Sequence, residues 1–353
     1  MKKKICFVAL RAYPLLAKKN LDYGGGPEVL QTTLGRALLR NGFDVSFVLY
    51  ADSAGVENID GITVIKVNPK KSKLIRSFLI WKAMHSAKAD IYYHHSGAAP
   101  IVALFCKFHK TKLICHIGSD GCVLKGTKGY NIWWFDIKLA SLIIVQSSFQ
   151  KAKLKENFNR ESIIIRNIFP ITFARKPIKA VPRFALWAGA MAQVKQPWLF
   201  LKLARKLPQL HFRMMGGEGD SGLFEFIKKE SAKIPNLIVM GYVPFNDTNQ
   251  YFERAAVLVN TSKFEGYSNA FIQSWMNYTP VISLNSDPDE IICTKKLGFH
   301  SRSFEKIAND IKLLLEDDSL REEMGQNARK FVEIEHNFSK TIDKYCTLLS
   351  NLA

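Results

Sequence analysis

The stretch of residues 256–284 constrains the fold of this chain more than any other. It reads AVLVNTSKFEGYSNAFIQSWMNYTPVISL. Residues 256–260 form an apolar, Val-rich run of strand length, a turn-rich link follows, and Ser268 or Asn269 caps a predicted helix that runs to Asn277. A second short apolar run closes the stretch. The order strand, loop, helix, strand predicts a parallel β-α-β unit, which places a helix N-terminus at the carboxyl edge of a sheet.

The loop before this helix carries candidate ligand-binding side chains. The N–H groups and the dipole of a helix N-terminus favour an anion such as a diphosphate. Glu265 would repel that anion, so its carboxylate suits a neutral polyol such as a sugar ring. Gln273 lies about one turn into the helix, where its amide can hydrogen-bond the same ligand. The spacing of the two residues alone does not decide between this ligand site and an alternative. In the alternative, Glu265 is a solvated loop residue and Gln273 an ordinary residue on the helix face.

The residues EGYSNAFIQSW resemble the Glu-x7-Glu motif of the retaining family 4 glycosyltransferases of the GT-B fold. In that family the first acid contacts the donor sugar and the second contacts the nucleotide ribose. The resemblance therefore implies a catalytic Glu265 and places Gln273 at the ribose. The longer pattern NTSKFEGYSNAFIQSW followed by PVISLNSDPD resembles a branch of the family in which Gln is usual at the second place. The implied fold is α/β, with two doubly wound Rossmann-like domains facing a central cleft, and the implied reaction is glycosyl transfer with retention of configuration.

The resemblance covers nearly the whole chain and implies its division. The N-terminal, acceptor-side domain is predicted at residues 1–175 and the C-terminal, nucleotide-sugar-binding domain at 176–335, while the last helix, 336–353, packs back on the first domain. Residues 170–182, PITFARKPIKAVP, lack periodicity and hold three prolines, which predicts the interdomain linker. A chain of 353 residues is long enough for two such cores.

A glycine run opens the helix predicted after the first strand. In GGGPEVLQTTLGRALLRNGFDVSFV, the glycines bring backbone N–H groups near a ligand and Pro27 suits a first helical turn. Taken alone, the run also fits a flexible loop. The segment resembles the family's first βα unit. By that resemblance Gly24, Gly25 and Gly26 lie against the donor phosphates or the acceptor, and Glu28 lies on the acceptor side.

The second half of the chain carries the remaining donor-binding resemblances. AGAMAQVKQP resembles the family's GRLxxxKG sequence, in which an Arg and a Lys clamp the diphosphate. Lys195 fills the Lys position with an implied catalytic role, whereas Ala190 stands where Arg is usual, so the basic N-terminal half or helix N-termini must compensate. IVMGYVPFND resembles the loop that contacts the nucleobase. Donor binding is thereby assigned to Gly189, Gly217, Tyr242, Val243, Gly266, Tyr267, Ser268, Asn269 and Ala270, besides Gln273 and the three N-terminal glycines.

A histidine ends another predicted strand, in the sequence HIGSD. A single His at the carboxyl end of a strand is as readily structural as functional. HIGSD resembles a His-Gly-type turn of the family whose His meets the donor sugar, which implies a catalytic role for His116 and places Ser119 and Asp120 on the acceptor side. His94 and His95 are less specific acceptor-side candidates.

No metal and no cofactor are expected besides the nucleotide sugar as substrate. SDPDE holds Asp287 and Asp289 at DxD spacing, but the resembled family works without a metal and Pro288 predicts a tight turn. The six cysteines are scattered without a CxxC pair, which predicts reduced thiols in the cytoplasm. The apolar run in MKKKICFVAL is too short for a signal peptide, and no window reaches ~18 uncharged apolar residues, so a soluble chain is expected.

The net charge of +19 is unevenly distributed. Residues 1–170 carry 26 Lys and Arg against 11 Asp and Glu, a net of +15, which leaves nucleic acid, an anionic membrane or an anionic substrate open. The segment PKKSKLIRSFLIWKAMH predicts a basic amphipathic helix, for which ordinary core packing is the alternative. It combines Lys70, Lys71, Lys73 and Arg76 with Phe78 and Trp81.

The predicted partners are a nucleotide-sugar donor, a saccharide or lipid-linked saccharide acceptor, and the anionic inner face of the membrane. Glycosyltransferases of the resembled type often extend lipid-linked saccharides at that face. No nucleic-acid motif is recognised, so nucleic acid is not expected as a partner. A non-catalytic relative that acts as a partner or glycan-binding subunit is the alternative, favoured by Ala190 and Gln273. The aromatic helix YNIWWFDIKLA, residues 130–140, is predicted to pack in the core rather than to hold a cofactor.

Overall fold

The computed structural model of the protein describes residues 2–17, 25–169 and 183–352. The chain forms two compact units, residues 1–170 together with 338–353 and residues 171–337. The predicted linker, residues 170–182, lies outside the described residues.

An eight-stranded sheet forms the centre of the first unit. Its strands are β1 (Lys4–Ala9), β2 (Asp44–Tyr50), β3 (Gly55–Ile59), β4 (Ile62–Val67), β5 (Ile91–Ser96), β6 (Lys112–His116), β7 (Leu142–Val145) and β8 (Ile163–Ile164). They lie in the order β3-β4-β2-β1-β5-β6-β7-β8, and all pairs are parallel except β3 with β4. Cys6 and Val8 enter one apolar cluster, whereas Ile5 and Phe7 enter another. The alternation along β1 therefore buries both faces of the sheet, as parallel sheets require.

Helices cover both faces of this sheet. They are α1 (Tyr13–Leu16), α2 (Gly26–Arg40), α3 (Lys73–Ala87), α4 (Ile101–His109), α5 (Lys128–Leu139), α6 (Ser148–Phe158) and α14 (Phe338–Leu352). Helices α3, α4, α5 and α6 contribute to the cluster of Cys6 and Val8, and α1, α2 and α14 contribute to the other. The last helix, α14, inserts Ile342, Tyr345 and Leu349 into this second cluster.

The second unit is built on a six-stranded parallel sheet. Its strands are β9 (Phe184–Ala188), β10 (His211–Met215), β11 (Leu237–Gly241), β12 (Ala255–Asn260), β13 (Val281–Ser283) and β14 (Gly298–His300). Their order is β11-β10-β9-β12-β13-β14. The helices are α7 (Pro197–Lys206), α8 (Leu223–Ser231), α9 (Phe245–Arg254), α10 (Asn269–Met276), α11 (Ile291–Thr294), α12 (Phe304–Glu316) and α13 (Asp318–Glu335). Because all neighbouring strands are parallel, their carboxyl ends lie at one edge of the sheet.

The predicted fold class is confirmed: the chain is α/β, with two Rossmann-like domains built on parallel sheets. The β-α-β unit predicted from residues 256–284 is present as β12, α10 and β13. Among the described residues, none of the helices combines the length and apolar character needed to cross a lipid bilayer.

Two helices of the first unit pack differently from the sequence expectation. In α3, Trp81 packs against Phe105 with ring centroids 5.1 Å apart, but Phe78 is exposed. In α5, Tyr130 packs against Phe158 and Trp133 stacks on His94, whereas Trp134 and Phe135 are 40% and 42% exposed. Both helices therefore place apolar side chains on the surface as well as in the core.

Candidate active site

Glycine-containing loops meet at the carboxyl edge of the second sheet. Gly216 donates its N–H to the carbonyl oxygen of Gly241 at 2.8 Å. A Cβ on Gly216 would lie 1.7 Å from the carbonyl oxygen of Gly189, and one on Gly217 would lie 3.4 Å from Tyr242. The loops after β9, β10 and β11 therefore pack closely, and side chains larger than hydrogen are excluded at Gly216. This packing brings together the predicted donor-binding residues Gly189, Gly217 and Tyr242, and Val243 follows Tyr242 in the chain.

Glu265 and Lys195 are in direct contact at the same edge. Glu265 is 9% exposed, and its Oε1 accepts hydrogen bonds from Lys195 Nζ, from Asn260 Nδ2 at 3.1 Å and from Ser262 Oγ at 2.9 Å. Within the described ranges, Oε2 of Glu265 has no hydrogen-bond partner. The solvated-loop alternative for Glu265 is wrong, because the side chain is buried. One carboxylate oxygen is held firmly, and the other is left for a ligand.

The loop that carries Glu265 is anchored by residues that the sequence did not predict. Ser286 Oγ accepts the backbone N–H of Glu265 at 3.1 Å. Thr261 Oγ1 donates to the carbonyl oxygen of Lys195 at 2.7 Å, and Lys263 donates its N–H to the carbonyl oxygen of Val194 at 2.8 Å. The loops of Lys195 and Glu265 are thus joined through their backbones as well as through the ion pair.

Helix α10 begins where the sequence predicts. Ser268 is its N-cap residue, although its side chain accepts no capping hydrogen bond. Gln273 Nε2 donates one of its two hydrogens to Thr248 Oγ1 of α9 at 3.1 Å. Among the described residues, the amide oxygen and the second N–H of Gln273 have no partner. The start of the helix also holds the predicted donor-binding residues Gly266, which is buried, and Asn269 and Ala270, which are half-buried.

Tyr267 does not offer its side chain to a donor. The ring is 2% exposed, its hydroxyl lies 3.0 Å from His336 Nε2, and it meets Trp275 edge to face. The phenol therefore belongs to the core of the second unit. Only the backbone of Tyr267 is available for the donor contact that was predicted for this residue.

In the first unit, Glu28 lies in the first turn of α2 and is buried. Its Oε1 accepts a hydrogen bond from Ser96 Oγ, at the end of β5, at 3.0 Å. Gly25 is the N-cap residue and Gly26 the first residue of α2, and a Cβ on Gly25 would lie 3.0 Å from Glu28 Oε2. The Glu28 carboxylate thus lies over the helix start, paired with a serine that the sequence did not predict. Gly24 lies outside the described residues.

The sugar contact predicted for His116 is contradicted by its placement. His116 ends β6 and is fully buried, with Nδ1 2.5 Å from Tyr93 Oη and Nε2 3.4 Å from the amide nitrogen of Gln146. Burial lowers the pKa of His116 well below its ordinary value and that of neighbouring His95 to about 4. Both rings are therefore neutral near neutral pH. Because both ring nitrogens of His116 are engaged inside its own domain, none is free for a sugar.

The other acceptor-side candidates hold the first unit together locally. His94 is buried and paired with Asp136, with Nδ1 and Oδ1 2.6 Å apart. Ser119 Oγ caps a short turn after β6, and Asp120 Oδ1 accepts a hydrogen bond from Gln150 Nε2 at 3.0 Å. Ser119 and Asp120 are half-buried, so they keep some exposed surface at the end of β6, whereas His94 does not.

Asp287, the first aspartate of the DxD-like pair, caps a helix. Asp287 accepts the backbone N–H groups of Ile292 at 2.8 Å and Cys293 at 3.2 Å, and so caps α11. In the part of the chain that the structure describes, no three His, Cys, Asp or Glu side chains are grouped to hold a metal ion.

Residues 169–331 match the family of glycosyl transferases group 1, and this range contains Lys195, Glu265 and Gln273. The match to this family covers a little under half of the chain. An uncharacterized glycosyltransferase of Haemophilus influenzae is 22% identical, with 94% of this chain and 98% of that protein covered. CapM of Staphylococcus aureus, named as a capsular polysaccharide biosynthesis glycosyltransferase, is 31% identical over 31% of this chain and 28% of its own. Glycosyltransferase 1 domain-containing protein 1 of Xenopus tropicalis is 23% identical, and the match spans 46% of this chain and about half, 48%, of that protein.

Solved structures confirm the GT-B glycosyltransferase fold. The sucrose-phosphate synthase of Thermosynechococcus elongatus superposes with a TM-score of 0.84 over 99% of both chains, at 16% identity. HepE of Anabaena, crystallised with UDP and glucose, superposes with a TM-score of 0.77 over 99% of this chain and 100% of its own, at 14% identity. The likeness at this identity is one of fold.

Proposed function

We propose that this protein transfers a glycosyl group from a nucleotide sugar to a saccharide or lipid-linked saccharide, with retention of configuration, in the assembly of cell-surface polysaccharide or glycolipid. The observation that carries the proposal is the Glu265 carboxylate. One oxygen is held by three donors, including Lys195, and the other is open at the carboxyl edge of a glycosyl transferases group 1 domain. The match to CapM, a capsular polysaccharide biosynthesis glycosyltransferase, supports the acceptor class.

The proposed chemistry depends on stabilising the leaving diphosphate. When the bond between the sugar and the diphosphate breaks, negative charge grows on the phosphate oxygens. Lys195 and the N-terminus of α10 are the groups that stabilise this charge, while Glu265 Oε2 accepts a hydrogen bond from a sugar hydroxyl. Among the described residues, no second carboxylate contacts Glu265. We assign the attack to the acceptor hydroxyl itself, on the face that the diphosphate leaves. Its oxygen bonds the anomeric carbon as the bond from that carbon to the diphosphate oxygen breaks, and its proton passes to the leaving diphosphate. We propose no metal or cofactor for this step.

For the donor we propose a UDP-sugar, supported by the structure of HepE in complex with UDP-glucose. The test is a donor panel of UDP-glucose, UDP-galactose, UDP-N-acetylglucosamine, GDP-mannose and ADP-glucose, with binding and release of the nucleoside diphosphate measured for each. We expect one UDP-sugar to bind and to release UDP. A protein that binds a donor but releases no nucleoside diphosphate, with or without saccharide acceptors, would support the non-catalytic alternative instead.

Lys195→Ala is expected to weaken UDP binding more than uridine binding. A charge-assisted hydrogen bond to phosphate contributes enough to lower the affinity for UDP about tenfold or more. Uridine lacks phosphate, so its affinity should stay within about twofold. Calorimetric titration of both ligands measures the difference, and Lys202→Ala, an exposed lysine of α7, is the matched control. Equal losses for UDP and uridine would show that Lys195 does not touch phosphate.

Gln273→Glu is expected to keep donor affinity within about threefold, because a carboxylate oxygen accepts the same ribose hydroxyl as the amide oxygen. The Thr248 hydroxyl now accepts from Gln273 Nε2 and donates to the carbonyl oxygen of Phe245 at 2.7 Å. In the variant it can rotate and donate to the second carboxylate oxygen instead. Titration of UDP into the variant measures the effect, with Gln273→Leu as the control that should lose affinity. A large loss in Gln273→Glu alone would show that the amide NH2 is itself required.

We also propose that the protein works in the cytoplasm at the anionic inner face of the membrane. Eight of the fifteen large apolar side chains that are exposed in the described part of the chain lie on α3, α4 and α5, which are neighbours on one face of the first sheet. We call this surface the three-helix face. Its exposed apolar residues are Leu74, Ile75, Phe78, Leu104, Phe108, Ile132, Trp134 and Phe135.

The charge around the three-helix face supports an anionic partner. Residues 70–138 carry 12 Lys and Arg against three Asp and Glu, and one of the three, Asp136, is buried. Phe78 is 67% exposed and Phe108 75% exposed, beside Trp81 at 6.0 Å between ring centroids. Exposed aromatic side chains among lysines fit the interfacial region of an acidic bilayer. A lipid-linked acceptor would be met at that surface.

A further inference from the structure

Two buried neutral side chains, Asn260 and Ser262, hold the Glu265 carboxylate. We propose that they are positioning residues, which fix Oε1 of Glu265 so that Oε2 faces the donor sugar while Lys195 is shared with the diphosphate. The inference rests on the proposed function, because it concerns how the carboxylate of that same site is kept in place.

Both the nitrogen and the oxygen of the Asn260 side-chain amide form hydrogen bonds. Asn260 ends β12 and is 8% exposed. Its Nδ2 donates to Glu265 Oε1 and to Ser262 Oγ, both at 3.1 Å, while its Oδ1 accepts the N–H of Ser262 at 3.2 Å. An amide nitrogen carries two hydrogens, so both are committed. The amide is therefore fixed in one orientation, with its donor end toward the carboxylate.

Ser262 lies between Asn260 and Glu265 in a chain of hydrogen bonds that also points its donor toward the carboxylate. Its hydroxyl is 1% exposed, accepts from Asn260 Nδ2, and donates to Glu265 Oε1 at 2.9 Å. A hydroxyl has one hydrogen, so accepting from the amide leaves that hydrogen for the carboxylate. Oε1 then keeps two neutral donors that do not depend on Lys195.

Asn260 and Ser262 are needed because two anions, Glu265 and the donor diphosphate, attract the same Lys195 ammonium group. In the free protein Lys195 pairs with Glu265, and a donor would bring a diphosphate that attracts the same ammonium group. Without Asn260 and Ser262, a lysine drawn toward phosphate would leave a buried carboxylate with no donor, which is costly and would let it rotate. With them, Lys195 can move toward the phosphate while Oε2 stays on the sugar side.

The loop has other anchors, so loss of the Asn260 side chain does not release it. Asn285 Nδ2 donates to the carbonyl oxygen of Ser262 at 3.0 Å, and Ser286 Oγ accepts the N–H of Glu265 at 3.1 Å. Thr261 is tied to the Lys195 loop at 2.7 Å. A purely structural role for Asn260 is thus separable from a positioning role.

The test is a double-mutant cycle. Asn260→Ala should lower the turnover of the best donor of the panel about tenfold, with UDP affinity within about twofold, because the lost bond serves the carboxylate rather than the nucleotide. In a Glu265→Ala background, Asn260→Ala should cause no further loss, since there is no carboxylate left to position. Ser283→Ala is the matched control, because Ser283 Oγ donates to the Oδ1 end of Asn260 and accepts the N–H of Ser286, both at 3.4 Å, but makes no contact with the carboxylate.

Equal losses from Asn260→Ala in both backgrounds would overturn the positioning role in favour of a structural one. Ser262→Ala is put through the same cycle, and it decides the question if thermal unfolding shows that Asn260→Ala is not folded. Normal wild-type turnover with unaffected Asn260→Ala and Ser262→Ala variants would overturn this inference alone. A wild-type protein that turns over no donor of the panel would overturn the proposed function, and this inference with it.

Discussion

Replacement of Glu265 by Gln is expected to lower donor turnover on the order of 100-fold while the protein stays folded, because one strong transition-state hydrogen bond is lost. The amide oxygen of the variant can still accept from Asn260 and Ser262. The amide nitrogen replaces Oε2, so it offers a donor where the sugar hydroxyl needs an acceptor. Lys195 loses its ionic partner, but its side chain is 26% exposed and can be hydrated.

Glu265→Gln is the sharper variant because Glu265→Ala also affects stability. From sequence alone, Glu265 is expected to support no core, so that Glu265→Ala leaves the fold intact. The structure corrects the premise, since removal of the carboxylate leaves two buried donors, Asn260 and Ser262, without their acceptor. An unsatisfied buried donor costs about 1–3 kcal/mol, so Glu265→Ala should fold with a lower melting temperature.

The measurement is release of nucleoside diphosphate from the best donor of the panel, together with UDP affinity and thermal unfolding. Glu305→Gln, an exposed glutamate in the first turn of α12, is the matched control and should keep turnover within about twofold. Turnover of Glu265→Gln within about threefold of wild type would remove the proposed role, because such a loss is too small for a transition-state contact.

The elements that the sequence predicted are those with continuous apolar runs. β12 and β13 are buried on both faces, so both are predicted from their apolar, β-branched residues. β3 and β14 were not predicted. β3, GVENI, is an exposed antiparallel edge strand without an apolar run, and β14 is only three residues long. Short and exposed strands are defined by their neighbours rather than by their own composition.

In the candidate site too, residues in local sequence motifs were predicted, whereas residues whose contacts depend on distant parts of the chain were not. Glu265 and Lys195 stand in recognisable motifs, and the structure pairs them. Asn260 is the last residue of β12 and belongs to no recognised motif. Its contact with Glu265 forms only because the loop after β12 folds back toward it. His116 was misjudged for the opposite reason. With Ile114 it faces the cluster that α14 completes, and that helix comes from the far end of the chain.

The three-helix face leads to a prediction about binding to acidic membranes. The unmodified protein should bind vesicles of phosphatidylcholine mixed with phosphatidylglycerol, and binding should fall as salt rises, because screening weakens attraction between exposed charges. Lys70, Lys71 and Lys73 are exposed, whereas Arg76 is half-buried and directed toward the carbonyl oxygen of Pro69. A variant that changes only the three lysines to Ser therefore removes surface charge without disturbing that contact.

Each Lys near an acidic bilayer contributes about 1 kcal/mol, so the three together should weaken partitioning on the order of 100-fold. The matched control changes Lys228, Lys229 and Lys312 to Ser, which removes the same charge from exposed positions of the second unit. Phe78→Ser should weaken binding further at high salt, where apolar contact with the bilayer remains. If the unmodified protein ignores acidic vesicles at low salt, or if the control variant loses as much as the first, the charge of the N-terminal half serves a soluble anionic acceptor instead.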